Sequence, residues 1–278
     1  MKKMSVSEIQ QVDLEILRFI DSFCKERGIV YFLDSGSLIG AARHKGFIPW
    51  DDDMDIRMPR PDYERFVAEF ADDQNYRLYA PARKNCFLSY ARVCEMQRTY
   101  FKQQNPWTLE SPGVGIDVFP LDGAPESIEE FEALCVKMNK EIQNLFRGRT
   151  FVKPKTHFRR DIIGFGKDCV HFVLNNIRRV NAIPRIRRLQ MKIERLRTSH
   201  EFTSSKYCCS SILRMSPKGR WLTAWFSDVV YLDFCGEKYP APIGYDERLC
   251  VEYGDWKTPP PESERIGHES YQTMWWRD

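Results

Sequence analysis

Residues 34–56 read Asp34-Ser35-Gly36-Ser37-Leu38-Ile39-Gly40-Ala41-Ala42-Arg43-His44-Lys45-Gly46-Phe47-Ile48-Pro49-Trp50-Asp51-Asp52-Asp53-Met54-Asp55-Ile56. Just ahead, Ile29-Val30-Tyr31-Phe32-Leu33 is short, apolar and rich in β-formers, which predicts a buried strand. Asp34-Ser35-Gly36-Ser37 then supplies a turn and a helix start, residues 38–44 a short helix, and residues 46–50 a loop stiffened by Pro49. Residues 53–58 alternate polar and apolar side chains, the pattern of a strand with one face buried. Strand, turn, helix, loop and strand within thirty residues define an α/β arrangement.

Outward from this stretch, Ser5-Val6-Ser7-Glu8 forms a capping box that opens a helix. Its apolar stripe is Ile9, Val12, Leu14, Ile16, Leu17, Ile20 and Phe23, and Gly28 is its stop. A helix is predicted over 61–70, strands over 76–79, 87–93 and 115–119 (ended by Pro120), and a helix over 127–146. Residues 225–234 read as a strand, and 239–261, with five prolines, as an extended packed loop. The domain reading is a core over 1–125, a mainly helical basic segment over 126–224, and a C-terminal strand and proline-rich loop over 225–278 that packs back on the core.

Composition excludes several classes. A 42% hydrophobic and 13% aromatic content supports a core without staples. No apolar run reaches signal-peptide or membrane-span length, which places the protein in the cytoplasm. Nine cysteines without a C-x-x-C pair argue for buried free thiols rather than a zinc ribbon or redox pair. The net charge of +3 conceals +12 between Arg147 and Arg197 and −9 over the remaining residues. That block lacks the aromatic interleaving of a single-strand binder, so no nucleic-acid partner is expected. It suits peripheral contact with an anionic membrane surface or a lipid-linked pyrophosphate acceptor, or else is a solvated face paired within the protein.

The chemistry is concentrated in Gly36-Ser37, Asp53-Met54-Asp55-Ile56 and Ile116-Asp117-Val118. Side chains two apart on a strand share a face, so Asp53 and Asp55 project together while Met54 and Ile56 turn inward. Asp117 has the same apolar flanks. Were its strand a neighbour of the first, three carboxylates would converge. Three carboxylates without a His or Cys set suit Mg²⁺ or Mn²⁺. Gly36, Ser37 and the amides that follow would bind an anion. An anion cradle, a metal site and a sheet that fixes both are the parts of a nucleotidyltransferase-like core: a mixed sheet flanked by helices, here with a helical basic insertion, of the α/β (α+β) class.

Residues 34–56 also resemble the signature of the LicD family, phosphocholine transferases related to fukutin. Gly115-Ile116-Asp117-Val118-Phe119-Pro120-Leu121-Asp122-Gly123 resembles the second block of that family. Tyr253-Gly254-Asp255-Trp256-Lys257-Thr258-Pro259-Pro260-Pro261, followed by His268, resembles its C-terminal block. The resemblance implies a nucleotidyltransferase-type fold and a CDP-activated donor such as CDP-choline. It also implies transfer of a phosphorylated alcohol to a hydroxyl of a cell-surface glycan, lipid-linked in our reading, with release of CMP. Asp53, Asp55 and Asp117 would be the metal-binding catalytic carboxylates. Ribitol-, glycerol- or mannose-type phosphates are alternative cargoes within the family. An antibiotic-type nucleotidyltransferase and a non-catalytic binding module are the alternatives outside it.

Arg43, His44 and Lys45 either clamp the donor phosphates or simply place positive charge at a helix C-terminus. Trp50 either stacks on a base or choline ammonium, or packs beneath its loop. Arg92 is a further donor-site candidate. His268 is either a site residue or structural.

Overall fold

The computed structural model describes residues 2–102, 107–108, 110–149, 182–211, 215–265, 267 and 274–278. Helix α1 (Val6–Arg27) opens with the expected reciprocal Ser5/Glu8 box and closes on Gly28 at φ 59°, a left-handed turn that costs glycine little. Strand β1 (Phe32–Leu33) leads into α2 (Ser35–Ile39), whose backbone continues as a π-helical turn over Gly40–His44. After the aspartate loop come β2 (Asp55–Pro59), α3 (Arg60–Glu69), β3 (Tyr76–Tyr79), β4 (Ala91–Glu95) and β5 (Thr99–Phe101). The long β6 (Gly115–Ala124) is followed by α4 (Ile128–Arg149), α5 (Ala182–Arg197), β7 (Tyr207–Cys209) and β8 (Arg220–Leu222). The ribbon of β9 (Val229–Phe234) and β10 (Glu237–Pro242), helix α6 (Tyr245–Tyr253) and β11 (Met274–Trp276) complete the chain.

The main sheet runs β1-β2-β6-β4-β3, with β7 on the end of β6 and β8 on β7. Only β2 and β6 are parallel, so the sheet is mixed. Met54, Ile56, Met58, Ile116 and Val118 point to the face packed by α1 and α3, where they join one apolar core. The alternate residues of β2 and β6 face the other way. Along that second face Phe32, Leu121, Cys208, Trp221 and Phe226 form a smaller core under the β7–β8 hairpin. A third core joins α4 and α5 through Phe131, Met138, Ile142, Ile186 and Ile193. The eight described cysteines are free thiols, six of them buried.

Four readings of the sequence are corrected. The strand expected over 87–93 is β4, Ala91–Glu95, and the strand expected over 225–234 begins only at Val229, after a 3-10 turn over Thr223–Phe226. The strand expected to end at Pro120 runs on to Ala124. Its antiparallel partner β4 reaches only Val118, and β7 begins at Asp122. Pro120 falls in the gap between them, where its missing N–H removes no ladder bond on that side. The tail read as an extended loop over 239–261 holds the end of β10 and the nine-residue helix α6. Pro240 and Pro242 are tolerated because β10 pairs only with β9, on the edge of a two-stranded ribbon.

Candidate active site

Parallel pairing of β2 with β6 sets Asp55 directly opposite Asp117. The Asp117 N–H donates to Met54 O at 3.1 Å, and the Asp55 N–H to the Ser37 hydroxyl at 3.0 Å. The end of β2 is therefore fixed from both sides, by α2 and by β6. Asp53 lies two residues upstream in the loop. Burial drives the Asp55 carboxyl well above its usual range, and the charges of Asp53 and Asp117 push it further. Burial also raises Asp117, to about 6, against the pull of Arg92 and with a push from Asp53. Arg92 Nη1 donates to Asp117 Oδ1 at 2.8 Å from the facing position on β4.

This crowd of acids is the kind of donor set that fits a divalent hard cation. All ligands are oxygen, and their mutual repulsion is what such an ion relieves. As they stand, no three His, Cys, Asp or Glu side chains among the described residues close around one point tightly enough to hold a metal. A bound ion would have to draw the acids together and compete with Arg92 for Asp117.

Gly36 sits where α2 begins, and a Cβ there would collide with the Asp51 carboxylate. The close approach that this glycine permits is made by an acid of the aspartate loop. Arg43 Nη1 donates to Trp256 O at 2.7 Å, and its Nε to His44 Nδ1 at 3.3 Å. Burial and Arg265 lower the pKa of Arg43, while burial and Arg43 lower that of His44. With Ala42, Tyr245, Asp246, Trp256 and Lys257, Arg43 lines a cavity of about 330 Å³. Lys45, at φ 57°, closes the π-helical turn, and its carbonyl accepts from Cys235 N at 2.8 Å. Trp50 packs half-buried against the main core, edge-on to His44, with the Arg265 guanidinium 5.1 Å from its ring centre. His268 lies outside the described residues. The structure thus gathers Gly36, Ser37, Asp53, Asp55, Asp117 and Arg92 around the ends of β2 and β6. Arg43, His44, Lys45 and Trp50 form a neighbouring group against the C-terminal segment.

Three elements of the site have no counterpart in the sequence reading. Asp13 of α1 is 1% exposed, and neither of its carboxylate oxygens has a hydrogen-bond partner among the described residues. Burial raises its pKa strongly, and Arg92 opposes the rise while Asp53 and Asp52 add to it. Its signal was an acid four residues after Ile9 and four before Leu17, on the buried face of the stripe. The second element is Asp34, wholly buried between Arg57 of β2 and Arg248 of α6, with Arg248 at 2.5 Å. Burial opposes its ionisation, but Arg248 and Arg57 together hold its carboxyl down at about 2. The third is a second cavity, of about 270 Å³, that opens beside Asp55.

A mixed sheet with carboxylates aligned on its parallel pair and a helix start beside them is the arrangement expected of a nucleotidyltransferase-like core. Residues 28–154 match the family described as LicD/FKTN/FKRP, nucleotidyltransferase domain. Beyond it, the chain is 29% identical to the lipopolysaccharide cholinephosphotransferase LicD of Haemophilus influenzae, over 96% of this chain and 97% of that protein. It is also 45% identical over 42 residues to the human ribitol 5-phosphate transferase FKRP, covering 15% of this chain and 8% of that protein. An uncharacterized protein of Rickettsia typhi is 35% identical over 66 residues, 23% of this chain and 21% of that protein.

Proposed function

We propose that the protein transfers a phosphorylated alcohol, phosphocholine in the first instance, from a CDP-activated donor to a hydroxyl of a cell-surface glycan. The observation that carries this reading is the pairing of Asp55 with Asp117 on adjacent parallel strands, two half-buried acids whose pKa values are both raised. The match along almost the whole length of a lipopolysaccharide cholinephosphotransferase supports the choice of cargo. Asp53, Asp55 and Asp117 would hold Mg²⁺ or Mn²⁺. Such an ion supplies positive charge for phosphoryl oxygens and for the departing nucleotide phosphate.

The chain's own residues do the rest. Ser37 and the β6 backbone fix the direction of Asp55, and Arg92 fixes Asp117. The acceptor oxygen forms a bond to the phosphorus that carries choline. The bond from that phosphorus to the bridging oxygen of CMP breaks, and CMP leaves with the electron pair. The acceptor proton passes to a carboxylate of the cluster or to water. Positioning and charge neutralisation supply most of the acceleration. We further propose peripheral membrane contact through the basic block, which would bring the enzyme to a lipid-linked acceptor. No helix among the described residues is long and apolar enough to cross a membrane.

The test is incubation with CDP-choline, Mg²⁺ and a lipid-linked glycan fraction, with CMP as the readout. CMP release should be slow with donor and metal alone, rise strongly when acceptor is added, and be abolished by chelator. CMP from CDP-ribitol but not CDP-choline would move the assignment to ribitol phosphate, as in the FKRP relatives. Pyrophosphate release from a nucleoside triphosphate would indicate an antibiotic-type nucleotidyltransferase. Full turnover in chelator would sink the metal mechanism.

A further inference from the structure

The cavity beside Asp55 is built for oxygen-rich anions. Asp55, Arg57 and Phe119 form its floor, on the sheet face opposite the main core, with Ser35 at one side. Trp221 of β8, Ser210, Ser216 and Lys218 form the facing wall and lip, and Glu252 closes one end. Two buried N–H groups of lining residues, Trp221 Nε1 and Arg57 Nε, lack a hydrogen-bond acceptor among the described residues. Trp221 is 1% exposed and Arg57 2%, so both donors are withheld from bulk water. A buried donor without an acceptor is destabilising, and a small shift of the wall that brought it to a ligand oxygen would recover that cost.

The charges point the same way. Arg57 lies between the rings of Phe119 and Trp221, with its guanidinium 5.5 and 5.3 Å from their centres. Arg248 sits over the other part of Trp221 at 4.6 Å. Asp34 is shared by both arginines, and Glu252 bonds Arg248 at 3.0 Å. Glu252 is thereby committed to Arg248, as Arg57 is to Asp34, so the lining cation left without an ion-pair partner among the described residues is Lys218. Lys218 is exposed on the tight turn Pro217–Gly219 that delivers β8, and it has no ion-pair partner among the described residues. Ser210 and Ser216 add hydroxyls on the same side. Arg57 is two residues beyond Asp55 on the same face, about 7 Å along the strand. A ligand held at Asp55 therefore lies beside Arg57, Trp221 and Lys218, all of which line the same cavity.

We propose that Lys218, Trp221 Nε1 and Arg57 form an oxyanion subsite for a phosphate group of the nucleotide donor, adjoining the carboxylate cluster but separate from it. The proposal rests on the donor reading above for the identity of the nucleotide. Its core, a phosphate site governed by Lys218, does not.

Calorimetric titration of the full chain with three probes in Mg²⁺ separates the two: pyrophosphate, CMP and cytidine. Lys218→Ala should weaken pyrophosphate and CMP about tenfold, the scale of one charge-assisted hydrogen bond, and leave cytidine unchanged. Lys218→Arg should recover most of the loss. Trp221→Phe keeps the ring and removes the N–H, and should weaken the same two probes, provided its melting curve matches the parent. Since Lys218 is exposed, its variants read the site even if Trp221→Phe is destabilised. Unchanged pyrophosphate and CMP affinity in Lys218→Ala overturns the subsite, as does an equal loss for cytidine. Lys218-dependent pyrophosphate binding with no affinity for CMP leaves the subsite standing and removes the cytidine-donor reading.

Discussion

Asp117 is held at once by a cation, Arg92, and by the repulsion of its neighbours. Its carboxyl is raised to about 6, first by burial. A raised acid binds its proton more tightly in the folded protein, so a proton competes with a metal for that carboxylate as the pH falls through 6. Asp55, raised further, sharpens the competition. Mn²⁺ affinity, followed by electron paramagnetic resonance, should therefore be tighter at pH 7.5 than at pH 5. Asp117→Ala should lose most of the affinity at both pH values and at least about 10²-fold in turnover, the scale of a lost metal or electrostatic contact. Removing Asp117 relieves repulsion among the acids but also takes the partner from Arg92, so a melting curve serves as the control that the variant folds. A pH-independent affinity, or near-normal turnover in Asp117→Ala, would take Asp117 out of the ligand set and make Asp51 or Asp122 the next residue to test. Asp122 is already committed, since it accepts from Arg60 Nε at 2.6 Å and from Ser211 at 2.8 Å.

At the level of elements, Asp34 ties three of them together: the end of β1, β2 through Arg57, and α6 through Arg248. Breaking a buried ion cluster by neutralising one member leaves the others uncompensated, at roughly 3–5 kcal/mol. Asp34→Asn should lower the midpoint of urea unfolding accordingly, and a shift within error would show that the arginines find other acceptors. The sequence showed Asp34 only as a turn residue, because its two partners lie 23 and 214 positions away and no local period links them. Elements carrying their own period were legible: the capped α1, the alternating β2 and the strand Tyr76–Tyr79 match their expected limits to within two residues. The pairing of Asp55 with Asp117 was readable as a condition, from identical apolar flanks, and the register satisfies it. What stayed hidden depends on distant partners. The three-residue β7 and β8 carry too few residues for a period, and their place is set by the end of β6. Helix α6 was masked by the prolines on either side of it. Asp13 was passed over because an acid on an apolar stripe reads as a break in the stripe, not as part of a site on the far side of the sheet.

For the whole molecule, the question is what the positive block does in an otherwise acidic chain. Its described part divides in two. Arg187 donates to the carbonyls of Cys86 (2.8 Å) and Lys84, and buried Arg197 bonds Ser211 and the Ser89 carbonyl, so both fasten α5 to the segments between β3 and β4 and after β7. Lys192 is paired with Glu141. Arg185, Arg188 and Arg195 are exposed, share one face with exposed Met191, and have no ion-pair partner among the described residues. Arg178 and Arg179 of the same block lie outside the described residues. A cationic stripe with an apolar residue suits an anionic lipid surface, at about 1 kcal/mol per basic residue near it. Changing Arg185, Arg188 and Arg195 together to Gln should weaken cosedimentation with anionic vesicles by roughly 10²-fold, allowing for screening. Added salt should produce the same loss in the parent protein, because it acts on the same charges. Donor hydrolysis without acceptor should be unchanged, as none of the three touches the carboxylate cluster. Arg187→Gln is the control: it should lower the melting temperature more than the triple variant does and leave vesicle binding intact. Vesicle binding that ignores both salt and the triple change would refute membrane recruitment by this face, and the acceptor would then be better sought among soluble glycans.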